Sequence, residues 1–233
     1  MFPRVFCLVM ILSVGMFSFA AAETVGEEHL YLQTTGATSD PLTWQLLDGE
    51  PIRLKTRVGS AEDLTILDAS LATREWQLQD QQEGTAIRVS RTGNLLRISG
   101  RFHGKPIDQR KEIDPAPWFQ TLSLSLRAFL RSGQKATGFW MLRPDTLQSY
   151  KLQAVKKGTE EIEVQGERIP ADKVEIHLTG FGALFWKARY WFRSGDQLFV
   201  RYAGPSGPPG APKTVVNLSS AVPQAASALP SKP

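Results

Sequence analysis

The length, composition and charge of the chain limit what it can be. It has 233 residues, with 27 Lys and Arg against 23 Asp and Glu and a formal net charge of +4. This charge is small and spread along the chain, so it gives no reason to expect a nucleic-acid partner. The length suits a single domain.

The first 22 residues have the pattern of a secretory signal peptide. Arg4 supplies a positive charge, residues 5–19 are apolar, and three alanines at 20–22 fit a cleavage site. The single cysteine, Cys7, lies in the part removed, so we expect a mature chain without disulfide, thiol nucleophile or lipoprotein anchor. No later apolar run approaches the ~20 residues of a membrane-spanning helix. A periplasmic or otherwise secreted protein without a membrane span is therefore expected.

Short segments separated by turn residues predict one antiparallel β domain over residues 23–219. In EPIRLKTRVG, Ile52, Leu54 and Val58 share one face and the basic residues between them share the other, which is typical of a half-buried strand. Before residue 114, the segments that we interpret as strands are HLYLQTTG, PLTWQLLDG, EPIRLKTRVG, TREWQLQ, TAIRVSR and NLLRISGRFHG.

Residues 114–133, DPAPWFQTLSLSLRAFLRSG, form the strongest helix candidate. Asp114 is predicted to cap the N-terminus, with Pro115 and Pro117 in the first turn, and Gly133 suits a left-handed C-terminal position. At about 100° per residue, one apolar face results. Its residues are Trp118, Phe119, Leu122, Leu126, Phe129 and Leu130, opposite Gln120, Ser123, Arg127 and Arg131. A strand remains an alternative, because leucines alternate with polar residues over positions 122–127.

After the helix, the pattern again predicts strands, in TGFWMLRP, QSYKLQAVKKG, TEEIEVQG and KVEIHLTG. ALFWKARYWFRSGDQLFVRY then predicts a hairpin with one apolar face and one mixed aromatic and cationic face. Residues 204–212 are rich in Pro and Gly and predict an irregular crossing, KTVVNLSS predicts a last edge strand, and residues 220–233 predict a disordered tail.

Many consecutive strands and one helix predict an all-β, mainly antiparallel fold. We expect a curved sheet or open β-barrel, with the helix lying across its concave side so that the apolar stripe is buried against the inward strand residues.

Three motifs in the second half resemble an uncharacterised family of exported bacterial proteins, a domain of unknown function. They are a Phe-Trp-Met-x-Arg-Pro strand, a Tyr-Trp-Phe-Arg hairpin and a Gly-Pro-Pro-Gly-x-Pro loop. The resemblance extends over residues 28–218. It implies a curved periplasmic β-sheet, more distantly similar to the outer-membrane lipoprotein carriers that hold acyl chains in an open barrel. It implies no catalytic residue.

The residues that carry catalysis or bind metals are scattered. His29, His103 and His177 belong to no close metal-ligand motif, and Glu160, Glu161 and Glu163 are typical of a solvated turn and strand face. No nucleophile elbow or phosphate-binding glycine loop is visible. We therefore expect no enzyme activity, no metal and no cofactor.

An open barrel with large inward aromatic residues favours a hydrophobic or amphipathic small molecule, such as an acyl chain, as ligand. Lys187, Arg189 and Arg143 are then expected to meet an anionic headgroup. The alternative is that the aromatic residues only fill the core and the cations are ordinary outward charges. The predicted ligand-binding residues are Trp118, Phe119, Leu122, Phe129, Trp140, Arg143, Trp186, Lys187, Arg189, Tyr190 and Phe192.

The second hypothesis is a module that binds another envelope protein. Phe185 and Trp191 would form an exposed aromatic patch flanked by Lys187, Arg189 and Arg193, a composition that interface centres favour. The two hypotheses differ in burial. Ligand carriage needs a cavity beside the helix, whereas an interaction module needs Phe185 and Trp191 on the surface.

Overall fold

The computed structural model describes residues 24–179, 186–205 and 211–219, which fold into fourteen strands and one helix. The expected signal peptide, Phe185, the glycine-proline loop at 207–210 and the expected tail at 220–233 lie outside the described residues. The elements are β1 Val25–Thr35, β2 Thr38–Leu47, β3 Ile52–Val58, β4 Ala61–Leu67, β5 Thr73–Asp80, β6 Thr85–Thr92, β7 Leu95–Phe102, β8 Lys105–Glu112, α1 Leu122–Arg131, β9 Ala136–Leu142, β10 Ser149–Val164, β11 Glu167–Leu178, β12 Lys187–Arg193, β13 Phe199–Pro205 and β14 Lys213–Ser219.

All these strands belong to one antiparallel sheet. Its order is β8-β7-β6-β5-β4-β3-β2-β1-β14-β13-β12-β11-β10-β9, so β1 and β14 meet in the middle and β8 and β9 form the two ends. The predicted all-β fold, an open curved sheet with one helix on its concave side, is confirmed. The prediction of an edge strand at KTVVNLSS is wrong, because β14 pairs with both β1 and β13.

Strands β4 and β8 were not predicted from the sequence, and two predicted strands form the single strand β10. Strand β4 was not recognised because two of its inward positions are the polar residues Asp63 and Thr65. Strand β8 is mostly exposed and charged, as suits a sheet edge. QSYKLQAVKKG and TEEIEVQG join in the 16-residue β10, where a register shift between Lys156 and Thr159 bends the strand without ending it.

The helix is shorter than predicted. It begins at Leu122 after Thr121, which makes no side-chain cap, and Asp114 lies eight positions upstream. Its C-terminal prediction is confirmed in part, since Ser132 is the cap and Gly133 follows with φ of +69°. The predicted polar face is wrong at Arg127, which is buried together with Leu124 and Ser125. The helix is covered on more than one side because it lies inside the curved sheet.

The residues before the helix join one end of the sheet, β9, to the inner strand β5. Trp118 forms a parallel bridge with Trp140 of β9: the Phe119 N–H donates to the Trp140 carbonyl and the Trp140 N–H donates to the Pro117 carbonyl, both at 2.8 Å. On the other side, the Thr73 N–H of β5 donates to the Trp118 carbonyl at 2.8 Å. This extended segment therefore links β9 to β5. The other end strand, β8, pairs with β7 and takes no part in these hydrogen bonds.

The Gln120 side chain continues this pairing. Its Nε2 donates to the Leu142 carbonyl (2.9 Å), and its Oε1 accepts from the Leu142 N–H (3.2 Å) and from Trp118 Nε1 (3.0 Å). One amide side chain thus satisfies the backbone at the end of β9 as a neighbouring strand would.

Two apolar clusters fill the concave side. The larger one packs α1 against β1–β4 and β9–β14, and the smaller one lies between β5–β7, Trp118 and Leu142. A third cluster lies on the convex side, where the distal part of the β10–β11 hairpin folds over β12 and β13. Arg201 holds this overlay, because its Nη2 donates to the Glu163 carbonyl at 2.7 Å.

Candidate functional site

The predicted ligand-binding aromatic residues lie in the core. Phe119, Leu122, Phe129 and Phe192 belong to the larger cluster and Trp118 to the smaller one, each at most 6% exposed. Trp140, Trp186 and Tyr190 are half-buried and pack against these clusters. The rings pack against other aromatic rings. For example, the centroids of Phe119 and Phe139 are 5.2 Å apart. This arrangement matches the alternative interpretation, in which these side chains fill the core.

The predicted headgroup cations lie elsewhere. Arg143 pairs with Asp145 in the β9–β10 turn. Lys187 and Arg189 alternate with the inward residues of β12, so they lie on the convex face, where both approach Glu175. The structure therefore does not bring the three cations together with the aromatic residues, because the period of two sends neighbouring side chains to opposite faces of the sheet.

The exposed aromatic patch of the second hypothesis is not present at Trp191. Its side chain faces the convex side as predicted, but only 8% is exposed, because the β10–β11 hairpin covers it. Trp191 Nε1 donates to Glu160 at 2.7 Å, and Lys173 Nζ lies 5.5 Å from the ring. Arg193 pairs with Asp196 in the turn that follows β12.

A cleft of about 500 Å³ opens between α1 and the sheet. One wall is the helix, through Leu124, Arg127 and Arg131, and the other is the end of the β1–β3 sheet and the β4–β5 loop. The cleft volume lies within the range typical of small-molecule sites. The remaining lining residues are Gly26, Glu27, Leu46, Leu47, Asp48, Gly49, Ile52 and Leu71.

An ion pair between a buried arginine and a half-buried glutamate crosses the cleft. Arg127, only 7% exposed, donates from Nη1 and Nη2 to the two carboxylate oxygens of Glu27 at 3.1 and 2.9 Å. The guanidinium also lies 5.1 Å from the Trp44 ring, and His29 Nε2 is 2.8 Å from Glu27. Burial raises the pKa of Glu27, but the bonds from Arg127 and His29 outweigh it and hold the pKa below its usual value. The pair therefore ties α1 to β1.

Apolar side chains form the sheet side of the cleft. Leu46, Ile52 and Leu71 are half-buried there. Leu71 has φ of +61°, a backbone conformation that branched, bulky residues rarely adopt. The loop is held by Asp68, whose Oδ1 accepts from the N–H groups of Ser70 (2.9 Å) and Ala72 (3.1 Å). A strained residue beside a cleft makes this loop a candidate for ligand contact.

Arg131 places a positive charge on the helix side of the cleft. Its Nε donates to Gln197 Oε1 at 2.6 Å, which orients the guanidinium. Within the described part of the chain, no acceptor bonds its Nη groups. The negative groups of the cleft, Glu27 and Asp48, lie on the sheet side. An anionic ligand group is therefore best accommodated beside the helix.

The interior also holds one carboxyl group with a strongly shifted pKa. Asp63 of β4 points to the concave side, and burial raises its pKa to about 6 although Trp76 Nε1 (2.6 Å) and Thr56 Oγ1 (3.4 Å) donate to it. Between pH 3.8 and 6 the unfolded chain releases this proton while the folded protein keeps it. Folding stability is therefore lost as pH rises through this window, and the loss stays constant above it.

We expect Asp63→Asn to stabilise the protein at pH 7.5 by up to about 3 kcal/mol and to change little at pH 4, because the amide carries no charge at either pH. Urea unfolding at the two pH values measures this difference. Asp108→Asn on the exposed strand β8 is the matched control, with no pH-dependent gain expected. Equal effects of Asp63→Asn at both pH values would contradict the assignment.

The cleft was missed in the sequence because its residues come from separate segments. Leu71, Leu124 and Arg131 are far apart along the chain and meet only after folding. One signal was present: Arg127 and Arg131 stand four positions apart, so both arginines lie on one side of α1.

The fold and the cleft together define an open, β-barrel-like protein with a helix inside, and comparison with solved structures agrees. The chain resembles a β-barrel-like protein of domain of unknown function DUF1849 from Brucella abortus, with TM-score 0.52 and 8% identity over 86% of this chain and 100% of that one. It also aligns with the hypothetical lipoprotein YmcC from Escherichia coli, with TM-score 0.39 and 11% identity over 85% and 86%.

The fold that the sequence resemblance implied is confirmed by the open antiparallel sheet and its likeness to the Brucella abortus structure. Compared by sequence, the chain matches no protein-family profile and no curated protein. Across residues 24–179, 186–205 and 211–219, the structure contains no helix long and apolar enough to cross a bilayer.

Proposed function

We propose that this protein is a non-enzymatic protein of the bacterial envelope that binds an anionic amphipathic molecule in the cleft beside α1. The ligand class is an apolar chain that ends in a carboxylate or phosphate. The observation that supports this proposal is the polarity of the cleft, with apolar side chains on the sheet side and Arg131 on the helix side.

Each wall supports a different part of such a ligand. Leu46, Ile52 and Leu71 offer apolar surface, which stabilises an acyl chain by about 25 cal/mol per Å² removed from water. The Nη groups of Arg131 suit a carboxylate or phosphate, because a guanidinium donates two parallel hydrogen bonds to these groups. Arg127 is already neutralised by Glu27, so Arg131 carries the charge available to a ligand.

Native mass spectrometry combined with lipid extraction tests the proposal on protein purified from its own host. We expect a co-purifying amphipathic species. Arg131→Gln should weaken the affinity about 10- to 100-fold and lower the occupancy with it, because a hydrogen bond to a charged group contributes roughly 1.5–3 kcal/mol. Leu71→Asn should also reduce it, and this variant suits the left-handed backbone at residue 71, so the fold is retained.

Arg110→Gln, on the exposed edge strand β8, is the matched control for loss of one arginine charge. It should leave the occupancy unchanged. A clean mass without ligand that stays unchanged when fatty acid or phospholipid is added would overturn the proposal. Equal losses in Arg110→Gln and Arg131→Gln would place binding outside the cleft and would overturn it as well.

A further inference from the structure

The convex face carries a cluster of cations around one carboxylate, which we call the convex basic patch and define as Lys157, His177, Lys187, Arg189 and Glu175. Glu175 of β11 is 6% exposed. Its carboxylate oxygens lie 3.0 Å from His177 Nε2, 3.3 Å from Lys187 Nζ, 3.4 Å from Lys157 Nζ and 3.5 Å from Arg189 Nε. Three permanent cations thus share one negative charge.

The strand register assembles the patch. Glu175 pairs with Arg189 and His177 pairs with Lys187 across β11 and β12. Lys157 reaches the same carboxylate from β10 because the register shift between Lys156 and Thr159 redirects it. Three neighbouring strands therefore contribute to one surface.

The positive charge of the patch is not balanced by its nearest neighbours. The residues opposite Glu175 and His177 on β10 are Val155 and Gln153, and the residue opposite Arg189 on β13 is Ala203. None of these three side chains carries a charge, and Glu160, a carboxylate on this face that acts on Arg189, is itself paired with Lys173 at 3.1 Å. Burial raises the pKa of Glu175, but Lys187 and Lys157 outweigh it and hold the pKa below its usual value, so the carboxylate stays ionised. The patch therefore keeps two net positive charges.

The cations remain available to a partner. The side chains of Lys157, Lys187 and Arg189 are 42%, 47% and 47% exposed, whereas the Glu175 side chain is only 8% exposed. A buried carboxylate that gathers long basic side chains lowers the entropy lost when they bind a second anion. The shielded position of Glu175 also limits its repulsion of that anion.

We infer that the convex basic patch binds the phosphate headgroups of an anionic lipid bilayer. A protein partner is less well matched, because interface centres favour an exposed aromatic anchor, and Trp191, which lies on this face within the described residues, is covered by the β10–β11 hairpin. Lysine ammonium groups act as point charges and suit a diffuse anionic surface better than planar, bidentate recognition. This inference does not depend on the ligand proposed for the cleft.

Co-sedimentation with vesicles tests the inference. The purified protein, with its N-terminus defined by mass spectrometry, is mixed with vesicles of phosphatidylcholine alone or with added phosphatidylglycerol. We expect binding only to the phosphatidylglycerol vesicles and release as NaCl rises towards about 0.5 M, because salt screens surface charges. The double variant Lys187→Gln/Arg189→Gln should weaken vesicle partitioning about 10-fold or more.

Lys55→Gln/Arg57→Gln is the matched control. These two cations also share one carboxylate, Glu62, and also lie on the convex face, but on β3, several strands away from the patch. The variant removes the same two charges. It should retain most of the vesicle binding. Equal losses in both variants would show a general charge effect and overturn the inference. Equal binding to neutral vesicles, or no vesicle binding by the wild-type protein, would overturn it too.

Discussion

We expect Glu27→Gln to lower the free energy of unfolding by about 2–3 kcal/mol, because it leaves the buried Arg127 guanidinium without its counter-charge. Arg127 receives both of its carboxylate contacts from Glu27, and its Nε has no hydrogen-bond partner within the described structure. A guanidinium held away from water in this way cannot recover its lost hydration elsewhere. Urea unfolding at pH 7, followed by circular dichroism, measures the change.

The double variant Glu27→Gln/Arg127→Met sharpens this prediction. It removes both charges and leaves an apolar side chain of similar length against Trp44, so it should be more stable than Glu27→Gln alone. Glu28→Gln is the matched control, since Glu28 is exposed on the opposite face of β1 and should cost less than about 0.5 kcal/mol. If the double variant is no more stable than Glu27→Gln, the loss in Glu27→Gln does not come from leaving the Arg127 charge buried and unpaired.

The same pair predicts how the protein responds to acid. Because the pKa of Glu27 is lowered in the folded state, its contribution to stability is present above the pKa of the unfolded chain. It is lost as pH falls through the lower folded value. The stability difference between wild-type protein and Glu27→Gln should therefore shrink below about pH 4.

The second large effect is expected at Trp118. Trp118→Ala should cost about 3–5 kcal/mol, because the indole is fully buried between β5–β7 and β9 and its removal leaves a cavity. The same change loosens the segment before the helix. Backbone hydrogen bonds tie this segment to Thr73 of β5 and to Trp140 of β9. Thermal and urea unfolding measure the loss.

Trp118→Phe separates the two contributions. It keeps an aromatic ring in the core but loses the hydrogen bond from Nε1 to Gln120. We expect the lost hydrogen bond to cost roughly 1–2 kcal/mol, in addition to a small cost for the reduced side-chain volume. Arg97, exposed on β7, provides a surface control through Arg97→Ala. If Trp118→Ala costs no more than this surface change, the segment before the helix does not stabilise the sheet as the hydrogen bonds indicate.

The helix shows where local patterns succeed and where they fail. The leucines and Phe129 predicted an amphipathic helix, and Gly133 marked its end. The start was placed too early because Pro115 and Pro117 are compatible with a first helical turn. Each also disfavours helical backbone in the residue before it, at Asp114 and Ala116. The hydrogen bonds to Trp140 then stabilise the extended alternative, and no local sequence pattern contains that contact.

Burial of polar residues was the other failure. Arg127 and Asp63 carry charged side chains that composition assigns to the surface. Arg127 is nevertheless buried because the sheet curves around α1, and Asp63 points to the concave side from β4. Trp191 illustrates the reverse case. Its alternation with Phe192 correctly placed it on the outer face, but the folded-over β10–β11 hairpin covers that face.

The sequence by itself determined the class of this protein: alternating residues define the strands, turn residues separate them, and one apolar helix requires a concave surface to cover it. Which residues meet was decided by the tertiary structure alone. The pairing of β1 with β14, the cleft between α1 and β1–β3, and the cations gathered at Glu175 all join residues distant in the chain. Periodicity specifies the face on which a side chain lies, whereas the curvature and register of the sheet specify its neighbours.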